Sequence, residues 1–320
     1  MIIKSEYINI NNLKNNDIVI DIETTGFSSK QHKISMLGMV GFDTLIKSFY
    51  FKQIFSENHD DEINLLSEFL KTIDSNHRIM SFNGLQFDIP FIQNRLTHHG
   101  FDYVILKHDH IDLFDYMRKN KIFTGTKPVG QKALEKQYML ERPFEMSGKT
   151  AVDLYKSYVK KPNIEIYEKM SLYNRLDVLY LAKLFDIYFN SQNLKTISYF
   201  KGETQYHALI DSISQEKDII TIELTSDQCF EYEMEDIRNY YVLKWNRSNL
   251  SIKMNTITGL ISEQTIGTCF NYSDFNKGIV KEQSILKDNL ILVKDLDYKI
   301  ENLKIIIKEM ILDALRKFNF

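Results

Sequence analysis

Five residues of this 320-residue chain have the types and spacing to do chemistry together: Asp21, Glu23, Asp88, Tyr173 and Asp177. The stretch SLYNRLDVLYLAKL, residues 171–184, reads as part of a helix. Its apolar face carries Ile166, Met170, Tyr173, Tyr180, Leu181, Leu184 and Tyr188 at 3.6-residue spacing. Asp177 interrupts that face one turn after Tyr173. A lone carboxylate among apolar side chains is costly or takes up a proton, whereas one turned toward a bound cation is compensated. Asp21 and Glu23, in DIETTG, stand two apart at the end of a predicted strand, so both project to one face. Like charges held that close repel and raise each other's pKa unless they share a cation. Asp88, in SFNGLQFD, falls in the first turn of a predicted helix, where a carboxylate also suits the helix dipole. An ordinary acidic pair would account for Asp21 and Glu23, and capping for Asp88. Asp177 resists such a reading.

The elements that must position these residues follow from periodicity. Residues 17–22 form a short buried strand, and KISMLGMVGF and TLIKSFYF two more, with only DT between them as a hairpin turn. DDEINLLSEFLKTID is a helix with acidic residues at its start. HRIMSF is a fourth strand. FDIPFIQNRLTHHG is a helix with Pro90 in its first turn and Gly100 as its stop. DHIDLF is a fifth strand, and helices run from about 113 to 189. Strands feeding helices in this way predict an α/β layer fold with a mixed five-stranded sheet.

Beyond about residue 195 the texture changes. KDIITIEL, QCFEYEM, NYYVLKW and LSIKMNTI are strand-like, and the chain closes on a helical stripe of Ile300, Leu303, Ile307, Met310, Ile311, Ala314, Leu315 and Phe318. The expected organisation is a first domain, 1–195, and a smaller α+β module, 196–320.

Composition sets the outer bounds. The chain is 43% hydrophobic, 26% charged and 12% aromatic, with 4 prolines and 12 glycines, which is globular and sufficient for a sizeable core. Cys229 and Cys269 stand alone and make neither a zinc motif nor a disulfide framework. With no apolar leader and no run long enough to span a membrane, the expectation is a soluble cytoplasmic protein without a membrane partner. The net charge of −3 conceals an asymmetry: residues 118–161 hold 11 basic and 4 acidic side chains. Such a surplus is either a solvated face or the footprint of a phosphate polymer.

Together the acidic segments resemble the three motifs of the DEDD (DnaQ-like) superfamily of 3′–5′ exonucleases, which have an RNase H-like fold. Asp21, Glu23, Thr24, Thr25 and Gly26 match the first motif, and Asn83, Phe87 and Asp88 the second. Tyr173, four before Asp177 with Leu172 in the alternative position, matches the tyrosine form of the third. HIDLFDYMRK, KALEKQYMLERPFEMSGKTAVDLYKSY and YNRLDV further resemble the RNase H-like domain of the bacterial YprB family, itself similar to the exonuclease domain of family B polymerases.

The resemblance implies hydrolysis of phosphodiester bonds by two Mg²⁺ or Mn²⁺ ions, with release of nucleoside 5′-monophosphates from 3′ ends. DNA, in single strands or at 3′ ends, is the favoured substrate, in repair or nucleic-acid turnover. Hard divalent ions prefer the oxygen ligands that Asp and Glu supply. By the same resemblance Asp21 bridges both ions, Glu23 and Asp177 hold the nucleophile-side ion, and Asp88 the second. Tyr173 orients the attacking water, since its usual pKa of about 10 makes it a poor base. Thr24, Thr25, Gly26 and Phe27 would hold the terminal nucleotide, with Phe27 stacking on a base. Asn83 would bond the strand, and Lys127, Lys132 and Arg142 would contact phosphates, surface salt partners being the alternative for each.

Two other readings compete: an RNase D-like RNA-processing enzyme, and an inactive RNase H-like domain that only binds nucleic acid. Inactive domains usually lose a metal ligand, and here all four acids and the tyrosine are present. For the C-terminal module the partner expectations are a helicase or a second copy of the chain, and NYYVLKWNRSNLSIK with Trp245 is either core or a substrate-facing strand.

Overall fold

The computed structural model describes residues 1–125, 127, 129–273, 275, 285–286 and 289–318. The chain divides into two compact units, Met1–Phe189 and Asn190–Phe320.

At the centre of the first unit is β2 (Asp17–Thr24), rich in β-branched residues and buried along most of its length. Antiparallel beside it runs β3 (Ile34–Asp43), and β4 (Ser48–Phe55) pairs antiparallel with β3 in turn. On the other side of β2 lie β5 (Arg78–Ser81) and then β6 (His110–Asp112), both parallel. A further strand, β1 (Ile2–Ile8), pairs antiparallel with β4, so the mixed sheet has six strands in the order β1-β4-β3-β2-β5-β6, one more than expected. The turn between β3 and β4 also differs from the expected two-residue hairpin. Asp43 Oδ1 accepts from the Leu45 and Ile46 amides, at 2.9 and 3.1 Å, and holds Leu45 and Ile46 exposed in a turn.

Period-two alternation divides β2 between two layers. Ile18, Ile20 and Ile22 pack on one side with Leu65, Leu66 and Phe69 of α1 (Glu62–Leu70) and Ile89, Phe91, Ile92 and Leu96 of α2 (Asp88–His98). Val19, on the opposite face, packs with Leu113 and Met117 of α3 (Leu113–Lys119). After α4 (Lys121–Thr124) comes α5 (Gln131–Gln137), which adds Leu134 to the same layer. A third cluster joins Met36 and Phe55 to Tyr155 and Tyr158 of α6 (Gly148–Lys160). The long helix α7 (Ile164–Leu184) places Val178, Leu181 and Ala182 in the Val19 layer and Tyr167 and Met170 in the third cluster. It ends at Leu184, and Tyr188 belongs to the next helix, α8 (Asp186–Lys195). Each fully buried apolar side chain of this kind contributes about 1.5–3 kcal/mol.

The second unit is an antiparallel sheet with one long helix. Its strands are β7 (Thr196–Lys201), β8 (Thr204–Glu216), β9 (Ile219–Ser226), β10 (Met234–Ile237), β11 (Tyr241–Asn246), β12 (Asn249–Leu260), β13 (Ile266–Asn271), β14 (Ile285–Leu286) and β15 (Leu290–Lys294). The path runs β14-β15-β13-β12-β9-β8-β7, with β11 also on β12 and β10 on β11. The closing helix α9 (Ile300–Lys317) packs on β7, β11 and β15 through Leu303, Ile307, Met310, Ile311, Ala314 and Leu315 of the expected stripe. Trp245 is fully buried, its ring edge-on to Phe230 at 4.9 Å, so it serves the core and does not face a substrate. QCFEYEM forms no strand before Met234. No helix among the described residues is long and apolar enough to cross a membrane.

Candidate active site

Because Asp21 and Glu23 share the Val19 face of β2, both point to the side that α7 covers. There they meet Asp177, and one carboxylate oxygen from each of the three lies within 4.8 Å of the others. Asp88 begins α2 and reaches across the end of β2, where its Oδ1 accepts from the Ile22 amide at 3.2 Å. Pairing with β5 stops at Val19, so that amide is otherwise free of the ladder. Glu23, Asp88 and Asp177 are only 7–9% exposed.

Burial dominates the electrostatics. It drives the Asp21 and Glu23 carboxyls well above the usual range, and the charges of Asp177 and Asp88 push both further. Asp88 is pushed up to about 7, again chiefly by burial, against the Ile22 hydrogen bond. Asp177 is raised by burial less the opposing effects of Arg142 and Lys132. Burial and like charge disfavour ionisation of these acids, an effect that a shared cation would offset. Burial and the charges of Asp177, Glu23 and Asp21 likewise raise Tyr173, whose hydroxyl bonds Asp177, so it remains a phenol. The donors are all hard oxygens, and they fit divalent ions such as Mg²⁺ or Mn²⁺.

The loop after β2 is tied down locally. Thr24 Oγ1 donates to Gly26 O at 2.9 Å, and Thr25 Oγ1 accepts from the Lys33 amide at 3.0 Å. A Cβ on Gly26 would fall 2.6 Å from the His32 ring, which explains the glycine. Phe27 is 93% exposed, its ring edge-on to Phe87 at 6.4 Å. Asn83 is exposed with φ of 59°, a left-handed conformation that Asn tolerates. Its amide donates to Asp112 Oδ1 at 2.8 Å, and Leu85 donates to Oδ2 at 3.1 Å.

The basic residues separate into three situations. Lys132 donates to Met146 O, and its Nζ stands 5.0 Å from the centre of the Tyr173 ring. Lys127 is exposed and, among the described residues, makes no ion pair with any of the four acids. Arg142, expected at the substrate's phosphates, is turned inward, its side chain 2% exposed. Its guanidinium pairs with Glu135 and lies 2.6 Å from Asp177 Oδ1. Burial opposes that charge, but Glu135 and Asp177 outweigh it and raise the pKa. Two carboxylates buried at the α5–α7 contact need a cation, and Arg142 supplies it.

Sequence reasoning missed several partners. Asn174 Nδ2 donates to Asp21 Oδ2 at 3.0 Å, and Gln53 Nε2 donates to Asn174 Oδ1 at 2.8 Å. Gln131 Nε2 donates to Asp177 O at 2.8 Å and to Glu135 Oε1 at 3.0 Å. Asn174 had a signal, a polar residue three before Asp177 on the same helix face. Gln53, alone in FKQIF, had none. Asp112 stands just ahead of a helix, a capping position.

Residues 18–189 match the family model of the RNase H superfamily. No curated protein matches. Among solved structures the chain is similar to an exonuclease I, at 12% identity and a TM-score of 0.38 over 65% of this chain and 54% of that one. Escherichia coli exonuclease I in complex with a dA16 oligonucleotide gives 12% identity and 0.36, over 68% and 56%. The zinc-bound E. coli exonuclease I–ssDNA complex gives 12% and 0.34, over 65% and 54%. The chain thus spans little more than half the length of these structures. With its family model covering more than half of its length and a mixed sheet flanked by helices, the chain belongs to the RNase H superfamily.

Proposed function

We propose that this protein is a 3′–5′ exonuclease of the DEDD superfamily, tyrosine branch, akin to the YprB family, and that it depends on two divalent ions. The observation that carries this reading is the convergence of Asp21, Glu23 and Asp177, with oxygens within 4.8 Å, from the end of β2 and the middle of α7. Motif order and spacing, with Asp88 between them in sequence, support it.

Asp21, Glu23, Asp88 and Asp177 would hold the ions. Mg²⁺ or Mn²⁺ bound there would activate a water, neutralise charge on the phosphoryl group and stabilise the leaving alkoxide. The rest falls to the chain's own side chains. Tyr173, held as a phenol, donates its hydroxyl hydrogen bond and orients the attacking water instead of deprotonating it. Phe27 offers an exposed ring on which the terminal base stacks. Thr24, Thr25, Gly26 and Asn83 line the approach, and Lys127 and Lys132 meet phosphates of the incoming strand. DNA single strands or 3′ ends are the favoured substrate, nucleoside 5′-monophosphates the products, and repair or turnover the setting. Residues 1–195 carry the activity and 196–320 an accessory role, such as docking a helicase or a second copy.

Matched single- and double-stranded DNA and RNA labelled at the 3′ end test this directly. Labelled mononucleotide released first from DNA, only with Mg²⁺ or Mn²⁺, is the expected result. Preferential release from RNA would move the protein to the RNase D-like reading, and binding without cleavage to that of an inactive domain.

A further inference from the structure

A succession of donors leads from Ser171 through Gln53 and Asn174 to Asp21. Ser171 Oγ donates to Gln53 Oε1 at 2.6 Å. Gln53 Nε2 donates both to Ser171 O at 3.1 Å and to Asn174 Oδ1 at 2.8 Å. Asn174 Nδ2 then donates to Asp21 Oδ2 at 3.0 Å. Gln53 is 1% exposed and Asn174 fully buried. The Ser171 backbone carbonyl can only accept, so Gln53 cannot turn over without losing both bonds that its Nε2 donates. Since it presents N–H to Asn174 Oδ1, Asn174 must present N–H to Asp21.

The sheet is shaped for this bridge. Asp21 on β2 pairs with Gly38 on β3, and Gly38 pairs with Gln53 on β4, so the three form one row across the sheet. A Cβ on Gly38 would come within 2.4 Å of Asn174 Oδ1 and 2.7 Å of Val178 Cγ2. The missing side chain is the space through which α7 lowers Asn174 between Gln53 and Asp21. Among the described hydrogen bonds, Asp21 Oδ1 accepts none.

We propose that Asn174 and Gln53 are positioning residues for divalent-ion binding. Gln53, two strands from Asp21, fixes the Asn174 amide. Asn174 then holds Asp21 with Oδ2 engaged and Oδ1 presented to the cation. The inference rests on the function proposed above, because it gives the Asp21 carboxylate a metal to hold. Residues that orient ligands from behind typically change metal affinity by about 10- to 100-fold when removed.

The test is Mn²⁺ binding by calorimetry on the full chain, without substrate, for wild type, Asn174→Ala, Gln53→Met and the double variant. Val178→Ala, a truncation in the same packing layer, reports what lost stability alone does. Each single variant is expected to raise the Mn²⁺ Kd at least about tenfold. The double variant should bind no more weakly than Asn174→Ala, since Gln53 acts through Asn174. Val178→Ala should lower the melting temperature and leave Kd in place. Wild-type affinity in Gln53→Met, or additive losses in the double variant, would overturn the proposal. Should the larger truncations not fold, Ser171→Ala decides: a smaller rise in Kd supports it, and no rise overturns it. Wild type that binds Mn²⁺ tightly yet digests no nucleic acid sinks the exonuclease reading and leaves this inference standing. Wild type that binds no Mn²⁺ sinks both.

Discussion

Arg142 Nη2 lies 2.6 Å from Asp177 Oδ1 and holds in place the one acid that α7 contributes to the cluster. The same guanidinium pairs with Glu135 of α5, so one buried cation serves two buried carboxylates. Removing it leaves both uncompensated, a loss of about 3–5 kcal/mol for a buried pair of this kind. Arg142→Met should therefore lower the melting temperature markedly in EDTA. Mn²⁺ should recover part of the loss, because it compensates Asp177 but not Glu135. Differential scanning calorimetry with and without metal reads both effects. Equal melting of variant and wild type would show that the pair is idle.

Acid stability gives a second handle. Asp88 is pushed up to about 7 in the folded chain, by burial first, whereas an unfolded aspartate titrates near 4. Between those values the folded state binds the extra proton, so metal-free stability falls as pH rises through that window and flattens above it. Asp21, Glu23 and Asp177 act in the same direction, while acids held low elsewhere, such as Glu62, oppose it. Comparison with Asp88→Asn isolates the one group. Urea titrations in EDTA at pH 5 and pH 8 should show the variant gaining on wild type at the higher pH. A constant difference would contradict the raised value.

Gly38→Ala tests the packing beneath the site. The new methyl group would meet Asn174 Oδ1 and Val178 Cγ2 well inside contact distance. Overpacking of this kind costs about 1–3 kcal/mol. Urea denaturation should register that loss, and a variant as stable as wild type would mean that α7 shifts freely.

Phe27 separates binding from folding. At 93% exposure its truncation should leave stability within about 0.5 kcal/mol of wild type. If the terminal base stacks there, Phe27→Ala loses about 1–3 kcal/mol of substrate binding. Steady-state assays should then show KM for a single strand rising about 5- to 150-fold, with a smaller change in kcat. An unchanged KM would remove Phe27 from the substrate path.

Asp177, Asp21 and Glu23 could be found in the sequence because charge is conspicuous where periodicity demands apolar residues, and because spacings of two and four fix a common face. Neutral polar residues leave no such mark. Gln53 and Asn174 meet only through the row Asp21–Gly38–Gln53, which strand register creates. The burial of Arg142, open in the sequence as a phosphate contact or a surface salt partner, was hidden for a related reason: within a basic stretch an inward-turned arginine looks like its exposed neighbours. In the sheets, β1 escaped notice because its central residues are exposed, as suits an edge strand. The long strand β8 was missed because a register shift between Ile210 and Ser212 breaks its alternation. The closing helix α9 was plain because its apolar repeat runs unbroken over five turns.

The most direct test of the central claim is digestion of a 5′-labelled single-stranded DNA by wild type, Asp21→Ala and Asp177→Asn across a Mn²⁺ titration. The account predicts a ladder shortening stepwise from the 3′ end, absent in EDTA and abolished in both variants while their fold is kept. Digestion that survives either substitution, or no digestion by wild type at any concentration of Mn²⁺ or Mg²⁺, would contradict it.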